Sequence, residues 1–171
     1  MKTKLLLLLL LPLLMGASCK KDKDDGLTKP TQIGANTFSC KINGENFIAS
    51  QSLFGPTAIF VSNVQSSTPY FLLDGRNTNS QPYKEIELKI FEDVRVGVVY
   101  KLGGGEQNYG SITYRYPDDL YKTSINSIGE VMFTRVDNTN KIYSGTFSFL
   151  CVNSINQQIK ITNGRFDVKI Q

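Results

Sequence analysis

From Asn36 to Gln171 the sequence alternates apolar and polar residues with a period of two, and turn residues interrupt the alternation every few positions. Phe38, Cys40 and Ile42 alternate with Ser39 and Lys41. Ile86, Leu88 and Ile90 alternate with Glu85, Glu87 and Lys89. Val94, Val96, Val98, Tyr100 and Leu102 form the cleanest such stripe. A period of two places one residue set on each side of a strand, and no stretch carries the 3.6-residue pattern of an amphipathic helix. Asn43-Gly44 and Asn163-Gly164 are hairpin signals, because both residue types tolerate positive φ. Asp137-Asn138-Thr139-Asn140 separates two further apolar runs. Residues 118–127 are ambiguous between a short helix and a loop. The pattern predicts an all-β antiparallel sandwich of nine or ten strands, with a small barrel as the alternative.

The first 35 residues break this pattern. Lys2 and Lys4 precede an apolar run from Leu5 to Met15, eleven residues long and interrupted only by Pro12. A spanning helix needs roughly 20 apolar residues, so this run reads as an export signal. Gly16, Ala17 and Ser18 are small, as a signal peptidase cleft requires, and Cys19 follows them. This arrangement resembles a bacterial lipobox, in which the cysteine thiol is acylated before cleavage, although Gly16 stands where the motif usually has Leu. The expected organisation is a signal peptide over 1–18, a lipidated N-terminus and flexible linker over 19–35, and a single β domain over 36–171. Lys20 to Gly26 carries balanced charge and buries nothing, while Pro30 and Gly34 extend the linker. Lipidation at Cys19 predicts a membrane partner held through the N-terminal lipid. The expected location is the outer membrane, on its periplasmic or surface-exposed side.

Composition narrows the chemistry. The chain has no His, which excludes His-based triads, His-ligated metals and histidine pH switches. Lys and Arg number 19 against 15 Asp and Glu. No contiguous basic block falls in the β region, so nucleic acid is not an expected partner. Glu85 and Glu87 are two residues apart, a pairing that suits carboxylate-dependent hydrolysis, but Ile86, Leu88 and Ile90 claim the core face and turn the glutamates to water. Gly103-Gly104-Gly105 precedes a strand pattern where a phosphate cradle would need a helix N-terminus. Asp137 to Asn140 lacks the Gly and distal Glu of a calcium loop. No catalytic residue, metal ligand or cofactor is assigned, and the chain reads as a non-enzyme.

Two features stand out as binding or structural candidates. Tyr109, Tyr114, Tyr116 and Tyr121 cluster near the Gly-rich loop, and tyrosine rings stack on sugars or anchor protein partners. Tyr114 and Tyr116 share parity and are expected to project to one side. Cys40 and Cys151 are the two thiols left once Cys19 is acylated, and an exported chain permits a disulfide between them. Two separate buried thiols fit the same positions.

Three stretches carry a resemblance: Thr37 to Gly44, the region Gly129 to Phe149 with Thr134-Arg135-Val136-Asp137 and Ser144-Gly145-Thr146-Phe147, and Ile161 to Asp167. Together with the leader they resemble a family of small Bacteroidota lipoproteins of unknown function, built from a lipobox, a short linker and one β domain. The resemblance implies an address and a fold, and it implies no catalytic residue. The functional expectation is a lipid-anchored, non-catalytic binding or accessory β domain of the cell envelope. Its candidate partners are a glycan or an envelope protein. A structural subunit, or a hydrolase using carboxylates alone, is the alternative.

Overall fold

The computed structural model describes residues 25–51, 53, 57–115 and 118–171. The expected signal peptide over 1–18, Cys19 and Tyr116 lie outside the described residues. Eleven strands follow in order: β1 Thr37–Ile42, β2 Glu45–Ile48, β3 Ile59–Val64, β4 Tyr70–Asn77, β5 Tyr83–Ile90, β6 Val99–Leu102, β7 Tyr109–Arg115, β8 Asp119–Lys122, β9 Gly129–Asp137, β10 Ile142–Val152 and β11 Gln158–Lys169. All ladders between these strands are antiparallel, as the alternation predicts. The strands run β2-β1-β11-β10-β8-β7-β5-β4-β3, with β9 also on β10 and β6 on β9.

Strand β10 makes the sheet curl. Its Ile142 to Phe149 stretch pairs with β9, and at Val152 it meets Lys122 of β8. The sheet thereby folds over into two layers, a sandwich-like half-barrel. The first layer is β2-β1-β11-β10-β9-β6 and the second is β8-β7-β5-β4-β3.

The core between the layers is rich in phenylalanine. Phe71 of the second layer sits 5.0 Å from Phe133 and 5.4 Å from Tyr143 of the first, ring centre to ring centre. Glycines admit these rings. A Cβ on Gly75 of β4 would stand 2.3 Å from the Phe38 ring, and one on Gly110 of β7 would stand 2.8 Å from Phe149. Large rings facing glycines let the two layers approach closely without voids.

Four sequence expectations need correction. Residues 119–122 form strand β8, where a helix or loop was an equal expectation. Asn163-Gly164 is not a hairpin turn. Asn163 has φ 53°, and it sits where the registers of β11 with both β1 and β10 shift, so the pair forms a bulge inside one long strand. The Val94 to Leu102 stripe is a strand only from Val99; Gly97 turns the chain at φ 76°, and Val96 and Val98 are exposed.

The fourth correction concerns the linker. Residues 25–35 were expected to be flexible, yet they lie as a strap across the outer face of the first layer. Asp167 of β11, 1% exposed, accepts bonds from Thr31 Oγ1, from the Ile33, Gly34 and Ala35 backbone N–H groups, and from Ser144 Oγ. Thr28 bonds the buried Ser39, and Arg135 donates to the Gln32 carbonyl. Asp25 pairs with Arg165. One buried carboxylate with five donors is sufficient reason for a polar segment to order.

Candidate functional site

The two cysteines do not pair. Cys40 and Cys151 are free and buried, Cys40 on β1 and Cys151 on β10, with β11 between them. Two strand spacings amount to about 10 Å, beyond the span a disulfide bridges. Burial pushes the Cys151 thiol up to about 12 and Cys40 higher still, which disfavours the thiolate at both positions.

The tyrosine cluster is divided between two faces. Tyr114 points inward, half-buried against the core, and meets Tyr121 edge-on at 6.1 Å. Tyr121 is buried and donates its hydroxyl to Gln157. Tyr100, in the same stretch, is buried and bonds the Asp93 carbonyl and the Arg95 N–H. Tyr109 alone of the described candidates lies on the outer face of the second layer. Of the described members of the cluster Tyr109, Tyr114, Tyr116 and Tyr121, Tyr109 therefore faces away from Tyr114 and Tyr121. Strand parity puts Tyr109 and Tyr114, five residues apart, on opposite sides.

Tyr109 instead belongs to a different constellation that parity assembles from three strands. On β5, Glu85, Glu87 and Lys89 face outward, as expected from the inward Ile86, Leu88 and Ile90. Cross-strand register sets Phe60, Asp74, Glu87, Ser111 and Lys122 in one row across β3, β4, β5, β7 and β8. The next row holds Leu72, Lys89 and Tyr109.

Aromatic and cationic groups alternate along this face. The Lys89 ammonium lies 5.3 Å from the Tyr70 ring centre and 5.0 Å from that of Phe91. Phe91 packs 6.3 Å from Tyr109, over which Lys122 sits at 3.5 Å. These are cation–π distances, and they hold the ring planes beside the charges. Phe60 and Phe91 keep 46% and 41% of their surface exposed.

The carboxylates expected to be solvated are instead half-buried and engaged. Glu85 accepts from Arg76 at 2.8 Å and from Arg115 at 2.8 Å; burial works to raise its pKa, and the two guanidinium groups outweigh that and lower it. The Tyr109 hydroxyl donates to Glu87 at 2.5 Å. Burial, then Glu87 and Tyr109's attachment to it, pushes the Tyr109 phenol far up, so it remains a donor. Asp74 is 5% exposed. One of its oxygens meets Arg76 at 3.0 Å, while Oδ1 has no partner. Burial first, and then the neighbouring Glu87, push Asp74 up to about 7. The two carboxyl groups are thus shifted in opposite directions, Asp74 towards its neutral form by burial and Glu87, and Glu85 towards its ionised form by the two arginines.

Sequence reading placed Glu85 and Glu87 on the correct side but missed Asp74, Phe60, Tyr70 and Phe91. Asp74 closes the otherwise apolar run Tyr70 to Leu73, a pattern that does not show which side of the strand is outward. The arrangement could have been found only by knowing that β4 pairs with β5 in the register that sets Asp74 opposite Glu87. Asn108, beside Tyr109, is already used: its side chain accepts from the Phe91 N–H and donates to Glu92. Asp118 is paired with Arg115 at 3.0 Å. Among the described residues no cluster of His, Cys, Asp and Glu is arranged to hold a metal ion.

Comparison with known proteins supplies a family for this fold. The sequence model described as a domain of unknown function (DUF6252) matches residues 56–168. No curated protein and no solved structure matches the chain.

Proposed function

The chain belongs to the DUF6252 family of domains of unknown function, and we propose that it is a non-catalytic glycan-binding module, tethered to a bacterial cell envelope by a lipid on Cys19. The outer face of the second layer carries this reading. Exposed Phe60 and Phe91 and the half-buried Tyr70 and Tyr109 stand among Glu87, Lys89 and Lys122. A sugar ring has an apolar face bordered by hydroxyls. Ring planes take the apolar face, and charged donors and acceptors take the hydroxyls.

The face is preorganised for such a ligand. Cation–π contacts and the Tyr109–Glu87 bond fix the side chains before anything arrives, which reduces the entropy lost on binding. Glu85 is held by two arginines, and Asp74 is sealed beneath its neighbours. The carboxyl groups are thus spent on the face itself, which favours binding over hydrolysis. The basic, apolar and small-residue segments before Cys19 support the lipid tether.

The test is a glycan array probed with the purified chain and with a Phe91→Ala/Tyr109→Ala double variant, both verified by circular dichroism and melting. Each ring contributes about 1 kcal/mol, so the double variant should bind roughly 30-fold more weakly. An array without signal, or equal signals from the two proteins, overturns the glycan reading. Intact-mass measurement of membrane-extracted protein should place the N-terminus at Cys19 with acyl chains attached.

A further inference from the structure

The outer face of the first layer has a different character. The strap covers one part of it and leaves an open groove beside it. One stretch of about 600 Å³ is bounded by Asp25 and Pro30 of the strap and by Val99, Glu130, Met132 and Arg165. It continues into a stretch of about 390 Å³ reaching Lys101, Ile128 and Lys160, and the two share Glu130, Ser148 and Thr162. The floor is low because β10 contributes Thr146 and Ser148 there. Apolar groups stand up around it: Val99, Met132 and Ile128 at the groove, and Ile33 on the strap, all exposed.

The charges on this face are unequal. Lys29, Lys41, Lys101, Lys160 and Arg165 stand on it against Asp25 and Glu130. The two carboxylates are neutralised by Arg165 and Lys101. Asp167 is sealed under the strap, and Arg135 is matched by Asp137. Lys29, Lys41 and Lys160 have no carboxylate within ion-pair distance among the described residues. Exposed apolar side chains surrounded by excess cations are the pattern of a surface that lies on a lipid headgroup layer.

The chain enters the domain at this face. Asp25 lines the groove, and it stands six residues along the chain from Cys19, with five between them. Fully extended, six residues reach about 21 Å, comparable to the radius of a domain of this size and shorter than the path around it. A lipid on Cys19 therefore holds the grooved face close to the bilayer and turns the aromatic face away from it.

From this juxtaposition we infer that the outer face of β6, β9, β10 and β11 is a membrane-docking surface for anionic lipid headgroups, with Val99, Ile128, Met132 and Ile33 entering the interfacial layer. This rests on the lipid-anchored reading and adds an orientation to it. Docking on one layer leaves the glycan face of the other layer open to solvent.

The experiment uses the full lipidated chain, purified from membranes and reconstituted into vesicles of phosphatidylcholine with 30% phosphatidylglycerol (about 3 in 10, enough to set a negative surface potential), or of phosphatidylcholine alone. An environment-sensitive dye is placed at Met132→Cys on the grooved face, or at Leu120→Cys, exposed on the aromatic face. Cys40 and Cys151 are buried and do not compete for the dye. Docking predicts a blue-shifted emission, quenched several-fold by brominated lipid, at 132 and not at 120. The difference should be strongest in the anionic vesicles and fall in high salt, and a Lys101→Glu/Lys160→Glu background should abolish it. Protein that floats with the vesicles while both dyes report equal water exposure overturns docking and leaves the anchor standing. Protein that does not float with the vesicles overturns the anchor, and the docking with it.

Discussion

Each layer of this half-barrel hides one aspartate on its outward side, and the two are solvated by the protein in opposite ways. Asp167, on the grooved layer, accepts five hydrogen bonds, three of them from the backbone of the strap. Burial works to raise its pKa, and those donors overcome it and hold the group at about 2. Asp74, on the aromatic layer, has a single arginine, one orphaned oxygen and a glutamate directly across the ladder. Its pKa moves the other way. The same residue type at nearly equal burial acts as a latch in one place and as an uncompensated group in the other. What decides is the supply of N–H and O–H donors, since a buried charge is costly unless hydrogen bonds replace its water.

Removing the latch should have the largest effect. Asp167→Ala leaves several buried donors without an acceptor, and we expect it to cost about 3 kcal/mol, read by urea denaturation. Hydrogen exchange should then become fast at Ile33, Gly34 and Ala35 while β11 stays protected. A strap that remains protected in this variant would show that Asp167 is not what orders it.

The opposite sign is expected across the molecule. Asp74→Leu removes a buried carboxyl with one unsatisfied oxygen and leaves Arg76 its bond to Glu85, so stability at pH 8 should rise by about 1 kcal/mol. A loss of similar size would mean that the Arg76 pair outweighs the orphaned oxygen.

The pH dependence sharpens the contrast. Asp167 has a folded pKa below its unfolded value near 4, so its stabilisation is complete above pH 4 and is lost as pH falls towards 2. Asp74 has a folded pKa above its unfolded value, so its contribution is complete below pH 4 and fades as pH rises through 7. Stability should therefore decline on both sides of a maximum in the mildly acidic range. Asp167→Ala should flatten the acid side and Asp74→Leu the neutral side, both measurable from melting temperature against pH. Tyr109→Phe is expected to be smaller, about 1 kcal/mol, because a single bond to a half-buried carboxylate is lost. The smallest effect concerns the thiols. Reductant should leave the melting temperature unchanged, and iodoacetamide should modify Cys40 and Cys151 only in denaturant.

The alternation of Phe38, Cys40 and Ile42, and of Ile86, Leu88 and Ile90, specified strands and their inner faces, because a period of two admits no other regular structure with one buried side. The Asn43-Gly44 turn was equally legible: its φ angles of 50° and 92° are those that Asn and Gly adopt at least cost. The same dipeptide at Asn163-Gly164 became a bulge, because β1 and β10 flank that point and continue the ladder past it. The Val94 to Leu102 stripe shortened to four strand residues because only Val99 to Leu102 forms a continuous antiparallel ladder with β9; Val96 meets β9 in a single bridge at Phe133, and Gly97 then turns the chain.

Local chemistry thus determined from the sequence alone that this chain is all-β, where most strands lie, which side of each is apolar, and that the glutamates of β5 face outward. Only the tertiary structure decided that β10 joins two layers, that a charged and proline-bearing segment is latched by Asp167, that Tyr109 parts from Tyr114 and Tyr121, and that Asp74 meets Glu87. Those outcomes depend on which strands neighbour one another and in what register. A period-two pattern gives every strand the same two faces, so pairing is settled by how rings such as Phe38 and Phe149 fill the space above Gly75 and Gly110 on the opposite layer.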